Sequence, residues 1–173
     1  MSGNRSRSRA WLPAVGLVVV ACVACQSSPA RVPSADEVES HYVIPYRTTV
    51  GMNGNVAELE VTQPGDQLRR GGRLWARVGP YVYLFSEGTR DLFADYGGLA
   101  AVRVTTRTPS GAMVARATLT RDALNGITWK RALNISGHAR KSGSRQLTLL
   151  EDLVEWGEDH TEYEYNPDYA SVR

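Results

Sequence analysis

RLWARV at residues 73–78, the dipeptide Gly79-Pro80 and YVYLFS at residues 81–86 form the stretch on which the fold reading turns. In the first run Leu74, Ala76 and Val78 alternate with Arg73, Trp75 and Arg77, the period of a strand with one buried side. In the second, Tyr81, Tyr83 and Phe85 line one side, while Val82 and Leu84 make the other apolar too. That aromatic row could serve as a stacking platform for a glycan, but an apolar run on both sides favours an interior strand. Gly79-Pro80 is a turn signal. The stretch therefore reads as two strands joined by a tight turn.

The same texture extends in both directions. Short alternating runs occur at 56–61 (VAELEV), 99–106 (LAAVRVTT), 112–119 (AMVARATL), 127–135 (ITWKRALNI), 145–150 (RQLTLL) and 161–165 (TEYEY). Between them stand Pro64-Gly65-Asp66, Gly71-Gly72, Thr108-Pro109-Ser110-Gly111, Asn125-Gly126 and Ser142-Gly143. One segment departs from the pattern: Thr89 can cap a helix over 90–96, with Leu92, Phe93 and Tyr96 on one face and Gly97 as its stop. The expected fold is all-β: an antiparallel β-sandwich of seven to eight strands, immunoglobulin- or transthyretin-like, with one short helix near 90–96. Trp75, Trp129 and Trp156 are expected in its core or rim, and Tyr163 and Tyr165 on an inward face with Glu162 and Glu164 outward.

Residues 101–118 can be registered as a hairpin. Pairing Arg107 with Ala112, Val104 with Ala115 and Val102 with Ala117 keeps one face apolar. That register also sets Arg103 opposite Arg116, a like-charge contact that disfavours it slightly unless an acid intervenes.

The chain has 173 residues, of which 42% are hydrophobic and 22% charged, enough apolar content for one packed domain and too much for disorder. Its first ten residues carry Arg5, Arg7 and Arg9 and no acid, and an uncharged run from Ala10 to Cys25 follows. A basic segment before a short apolar one that ends in small residues is an export signal. Val19-Val20-Ala21-Cys22, with an aliphatic residue three positions before a cysteine and a small one directly before it, resembles the lipobox of bacterial lipoproteins. The resemblance covers only about the first 25 residues. It implies cleavage before Cys22, diacylglycerol on its thiol and acylation of the new amine. Val23-Ala24-Cys25 offers an alternative site, with a cysteine where that family prefers an aliphatic residue. Several acyl chains anchor a protein stably, whereas one is marginal. In a cell with two membranes, Val23 in place of an aspartate after the cysteine implies the outer membrane.

The expected organisation is a signal peptide at 1–21, a lipid anchor and flexible tether at 22–41, a domain at 42–168 and a tail at 169–173. Within the tether, Ser34 and Glu37 have capping-box spacing, enough for a helical turn near 35–40. Both cysteines fall at the anchor, so the folded domain has no disulfide to rely on.

Loss of residues 1–21 lowers Lys plus Arg from 20 to 17 against 18 acids, a net charge of −1 that removes a general case for nucleic-acid binding. The remaining charge is segregated. Residues 151–173 hold eight acids against Arg173, a net −7, and the mature chain before them is +6. The simplest use of Glu162 and Glu164 is cross-strand pairing with a basic strand face such as Arg103 and Arg116. A surface for a cationic partner and a calcium site are alternatives, although the regular alternate-ligand spacing of a calcium loop is absent.

Catalytic signals are few. Asp152, Glu155 and Asp159 with His160 could form a carboxylate hydrolase site, but their spacing predicts no particular separation. His41, His138 and His160 are scattered, and no metal or cofactor is expected. No GxSxG elbow occurs, and GMNGN at 51–55 reads as a turn. The functional expectation is a non-catalytic envelope lipoprotein. Its partners would be the membrane, through the N-terminal lipid, and an envelope protein or glycan, with Arg103, Arg116, Glu162 and Glu164 as candidate contacts. The alternatives are a small hydrolase or carbohydrate-active enzyme built on 151–160, and binding of anionic lipid or lipopolysaccharide through Arg103 and Arg116.

Overall fold

The structure, a computed structural model, describes residues 30–43 and 47–170, with the backbone alone over 67–71. The signal, Cys22 and Cys25 lie outside the described residues. The domain is a mixed α/β fold, not an all-β sandwich. Its elements are α1 (Ala35–Ser40), β1 (Thr48–Asn53), β2 (Val56–Thr62), α2 (Gly65–Leu84), α3 (Glu87–Asp95), β3 (Ala101–Arg107) and β4 (Met113–Thr120). After a 3-10 turn at Arg121–Ala123 come α4 (Gly126–Ser142), α5 (Thr148–His160), β5 (Glu162–Tyr165) and α6 (Pro167–Ala170). The five strands form one sheet in the order β1-β2-β3-β4-β5, antiparallel except for β2 and β3. A parallel neighbour cannot be reached by a hairpin, and α2 with α3 supply the crossover.

The correction is sharpest at 73–86. Residues 73–84 are the second half of α2, after a kink at Gly72, whose φ of 55° lies outside the range of a helix, and Phe85 is its C-cap. Leu74, Val78, Tyr81 and Phe85 recur at intervals of four and three, and the last three are wholly buried. The row of alternating aromatics was the weaker of two periods present in one short apolar run. Gly79-Pro80 is no turn. A Cβ at Gly79 would lie 2.9 Å from Thr106 Cγ2 and 3.2 Å from Gln63 Nε2, so glycine here lets the helix sit directly on the sheet. Pro80 forfeits one helical hydrogen bond, to the Ala76 carbonyl, and burial of the helix face outweighs it.

Two other expected strands are also helical. Asn125, expected in a turn, instead caps α4: its side chain accepts from the Ile127 and Thr128 amides, and Thr128 returns the capping box. The run at 145–150 leads into α5, so the acids of 151–160 lie along a helix. The short helix near 90–96 is α3, over Glu87–Asp95, and its cap is Ser86, not Thr89.

One face of the sheet carries the core. Ala57, Leu59 and Val61 of β2, Val102 and Val104 of β3, and Ala117 and Leu119 of β4 meet Val78, Tyr81, Leu84 and Phe85 of α2. Leu150, Leu153 and Trp156 of α5 complete it. The segment expected as a flexible tether is, over residues 30–41, part of the domain. Ser34 and Glu37 form the capping box of α1, Val38 is fully buried, and the Gly98 amide donates to the Arg31 carbonyl (2.9 Å). At the other end Ala170 is buried, so the domain runs past residue 168.

The β3–β4 register differs by two residues from the one expected. Val104 pairs with Ala117, Val102 with Leu119 and Arg107 with Met113, with an irregularity at Thr106/Arg107. A longer turn, closed by Thr108 N to Ala112 O (2.8 Å), accounts for the shift. A shift of two preserves which side chains are buried. It also moves each arginine off the other: Arg103 faces Thr118 and Arg116 faces Thr105.

Candidate functional site

Three places in the fold concentrate polar chemistry. The first is the open face of the sheet, where all four candidate binding residues lie. Arg103 donates Nε to Thr118 Oγ1 (3.2 Å) and Nη1 to Glu58 (2.9 Å). Arg116 does the same in mirror image, with Nε to Thr105 Oγ1 (3.3 Å) and Nη1 to Glu164 (3.3 Å). Arg107 pairs with Glu60 (2.6 Å), whose carboxyl is held below its usual range by that hydrogen bond. Glu162 is exposed opposite Thr118. The structure thus brings Arg116 and Glu164 together but gives Arg103 to Glu58, a partner that sequence reasoning did not name. The basic face is neutralised arginine by arginine.

The second place is α5. Asp152, Glu155 and Asp159 are exposed on its outer side, and His160 is turned away, stacked on Trp156 at 4.0 Å. Glu151, Glu155, Glu158 and Asp159 border a shallow groove of about 280 Å³ beside Leu74 and Arg77. No group of three or more His, Cys, Asp or Glu among the described residues is placed to hold a metal ion. Only Glu158 of these acids is tied inward. It pairs with Arg77 and accepts from the Tyr165 hydroxyl (2.9 Å), which in turn accepts from Tyr81 (2.6 Å). This chain clamps α2, α5 and β5 together.

Burial raises the Tyr81 hydroxyl to about 12 and pushes Tyr165 and Tyr42 up as well. In the unfolded chain each ionises near 10. The folded pKa lies above the unfolded one, so the stabilisation is complete below about pH 10 and is lost as pH rises through the window toward 12. Urea midpoints are therefore expected to hold level to about pH 9.5 and then fall. Tyr81→Phe should make that fall shallower, by close to one proton's worth of slope.

The third place is a cavity of about 760 Å³ where the end of β2 meets four helices. His41 and Tyr42 come from the end of α1, Trp75, Gly79, Val82 and Tyr83 from α2, and Ser86, Glu87 and Gly88 from the start of α3. Leu133, Gly137 and Arg140 of α4 close the other side, above Val61, Gln63 and Thr106 of the sheet. Its polar wall is mostly committed. Tyr42 donates to Thr89 Oγ1 (2.8 Å), which donates to the Tyr83 carbonyl (2.8 Å). The His41 ring donates Nδ1 to the Glu37 carbonyl (2.8 Å) and sets Nε2 3.2 Å from Asp95. Gln63 donates Nε2 to the Trp75 carbonyl (2.8 Å), yet its Oε1 is buried without a donor among the described residues. Sequence reasoning missed the cavity. The one local hint was a polar glutamine inside the turn signal TQPGD at 62–66.

Comparison with protein-family models, with curated proteins and with solved structures returned no match.

Proposed function

We propose that this chain is a lipid-anchored protein of the bacterial cell envelope whose domain binds an envelope component without transforming it, and that the cavity over Gln63 is where it binds. The observation that carries this reading is the cavity itself. A volume of about 760 Å³, walled by the apolar Trp75, Val82 and Leu133 and by the polar His41, Ser86 and Arg140, has the size of a small-molecule site. Of the residues the hydrolase alternative draws on, Glu155 and Asp159 share the shallow groove beside Arg77, while Asp152 and His160 do not line it. The anionic-lipid alternative needs positive charge that Glu58, Glu60 and Glu164 already match.

The test uses the chain from residue 22 onward with Cys22→Ser and Cys25→Ser, labelled with nitrogen-15. Titration with a solvent extract of the cell envelope is expected to shift the amides of Gly79, Val82 and Gly137. Shifts confined to Arg103, Arg116 and Glu164 would move the binding surface to the open sheet face.

For the anchor, the lipobox at Val19–Cys22 remains the support. Metabolic labelling with a fatty acid is expected to mark the wild-type chain and not Cys22→Ala; loss with Cys25→Ala alone would move the anchor to Cys25. From Cys22 to Ala30, where the described domain starts, eight residues reach at most about 29 Å. An anchored domain would therefore work close to the bilayer.

A further inference from the structure

The arginines of the open sheet face are matched by acids; the cations of α4 are not. No acid occurs from Ala123 to Leu150, a stretch that holds five Lys and Arg. Ile127, Lys130, Arg131, Asn134, His138 and Lys141 are all exposed, and their spacing of three and four sets them along one face of α4. Ala132, Ser136 and Ala139, on the opposite face, are buried. Lys130, Arg131 and Lys141 have no ion pair among the described residues. Arg131 lies over the Trp156 ring at 4.7 Å, a contact that leaves its charge in place. On α5, which packs against α4, every acid but Asp152 borders the groove shared with α2.

Two further observations fit a bilayer. Ile127 and Leu147, 81% and 53% exposed, stand at the two ends of this basic segment. A membrane interface takes up apolar side chains beside Lys and Arg, whereas a phosphate backbone in water does not. The chain also enters the domain near one of those ends. A Cβ at Gly98 would strike the Ala30 carbonyl, so the first described residue lies against the loop after α3. Arg121 ties that loop to Phe93, whose ring is 6.4 Å from Trp129 near the start of α4. The segment leading back to Cys22 therefore leaves the domain near the Ile127 end of the stripe.

We infer that the outer face of α4 docks on a bilayer rich in anionic phospholipid, with Lys130, Arg131 and Lys141 at the headgroup phosphates and Ile127 and Leu147 in the interface. The stripe runs the length of α4, so the helix lies along the surface. This docking is separate from the lipid anchor and from the cavity, and its test uses neither.

The residue-22 chain described above carries no acyl group. It is expected to sediment with vesicles of phosphatidylcholine and phosphatidylglycerol and to be released as sodium chloride is raised. Vesicles of phosphatidylcholine alone are expected to bind it at least tenfold more weakly. At about fivefold for each charge removed, Lys130→Gln with Arg131→Gln and Lys141→Gln should weaken binding to the anionic vesicles about a hundredfold. Arg103→Gln with Arg116→Gln should bind as the wild type does. A nitroxide on Asn134→Cys should become shielded from a water-soluble nickel chelate on anionic vesicles, and one on Thr49→Cys, exposed on β1, should not. Equal binding to both kinds of vesicle, full binding by the triple variant, or shielding at Thr49 instead of Asn134 would overturn the inference. So would release from the vesicles by duplex DNA at matched phosphate concentration, which would make the face a nucleic-acid surface.

Discussion

Gly157→Val is expected to lower the stability of the domain by about 3 kcal/mol, while Gly137→Ala is expected to raise it by up to about 1 kcal/mol. Both glycines are inside helices, where alanine is intrinsically preferred. What separates them is the space beside each. A Cβ at Gly157 would fall 2.5–2.6 Å from three ring atoms of Tyr81. That ring is fully buried, stacks on Phe85 at 6.0 Å and donates its hydroxyl to Tyr165, so it has no free rotamer to retreat into. Displacing it also breaks the link through Tyr165 to Glu158 and Arg77. At Gly137 a Cβ meets nothing within 4 Å. Urea midpoints of the two variants should move in opposite directions. A neutral Gly157→Val would show that α5 does not lie on Tyr81.

Arg121→Ala is expected to cost about 3 kcal/mol. The guanidinium donates to three carbonyls: Leu99 (2.7 Å), Phe93 (2.6 Å) and Tyr96. Phe93 lies in the last turn of α3, where helical carbonyls lose their intrahelical partners, and Tyr96 is the C-cap, whose carbonyl also accepts from the Leu99 amide (3.0 Å). The same loop seats the N-terminal segment, through Gly98 N to Arg31 O and through Arg31 over the Tyr96 ring at 5.2 Å. Loss of Arg121 should therefore also speed hydrogen exchange at Gly98 and in α1. Arg121→Lys should recover less than half of the stability, because one ammonium on a flexible stem cannot span three carbonyls set for a planar fork. Full rescue by lysine would reduce the residue to a point charge.

The parts of the fold that could be read from the sequence are those in which one face meets the core and the other meets water. VAELEV, LAAVRVTT, AMVARATL and TEYEY became β2, β3, β4 and β5, although RLWARV alternates as well and is nonetheless part of α2. YVYLFS and ITWKRALNI failed for the opposite reason. Their apolar residues satisfy both periods over six to nine positions, and only the longer span from Leu74 to Phe85 separates helix from strand. Asn125-Gly126 and Gly79-Pro80 carry turn composition, yet one begins a helix and the other brings a helix against the sheet. At the site, the alternation in TEYEY sufficed to set Glu164 outward, where β4 offers Arg116. The cavity left a single local trace, the polar Gln63 inside TQPGD. It is assembled from His41, Gln63, Trp75, Leu133 and Arg140, nearly a hundred residues apart at the extremes and joined only by the crossover and the packing of α4.

Native mass spectrometry of the full chain purified from membranes is the decisive experiment. The account predicts a mass beginning at Cys22 with its acyl chains, plus a non-covalent adduct of a few hundred daltons that is released on denaturation. In Gly137→Trp, where the indole would fill the cavity from its open side, that adduct should be absent and the lipidated mass unchanged. Identical native and denatured masses in the wild type, or an adduct that persists in Gly137→Trp, would contradict it.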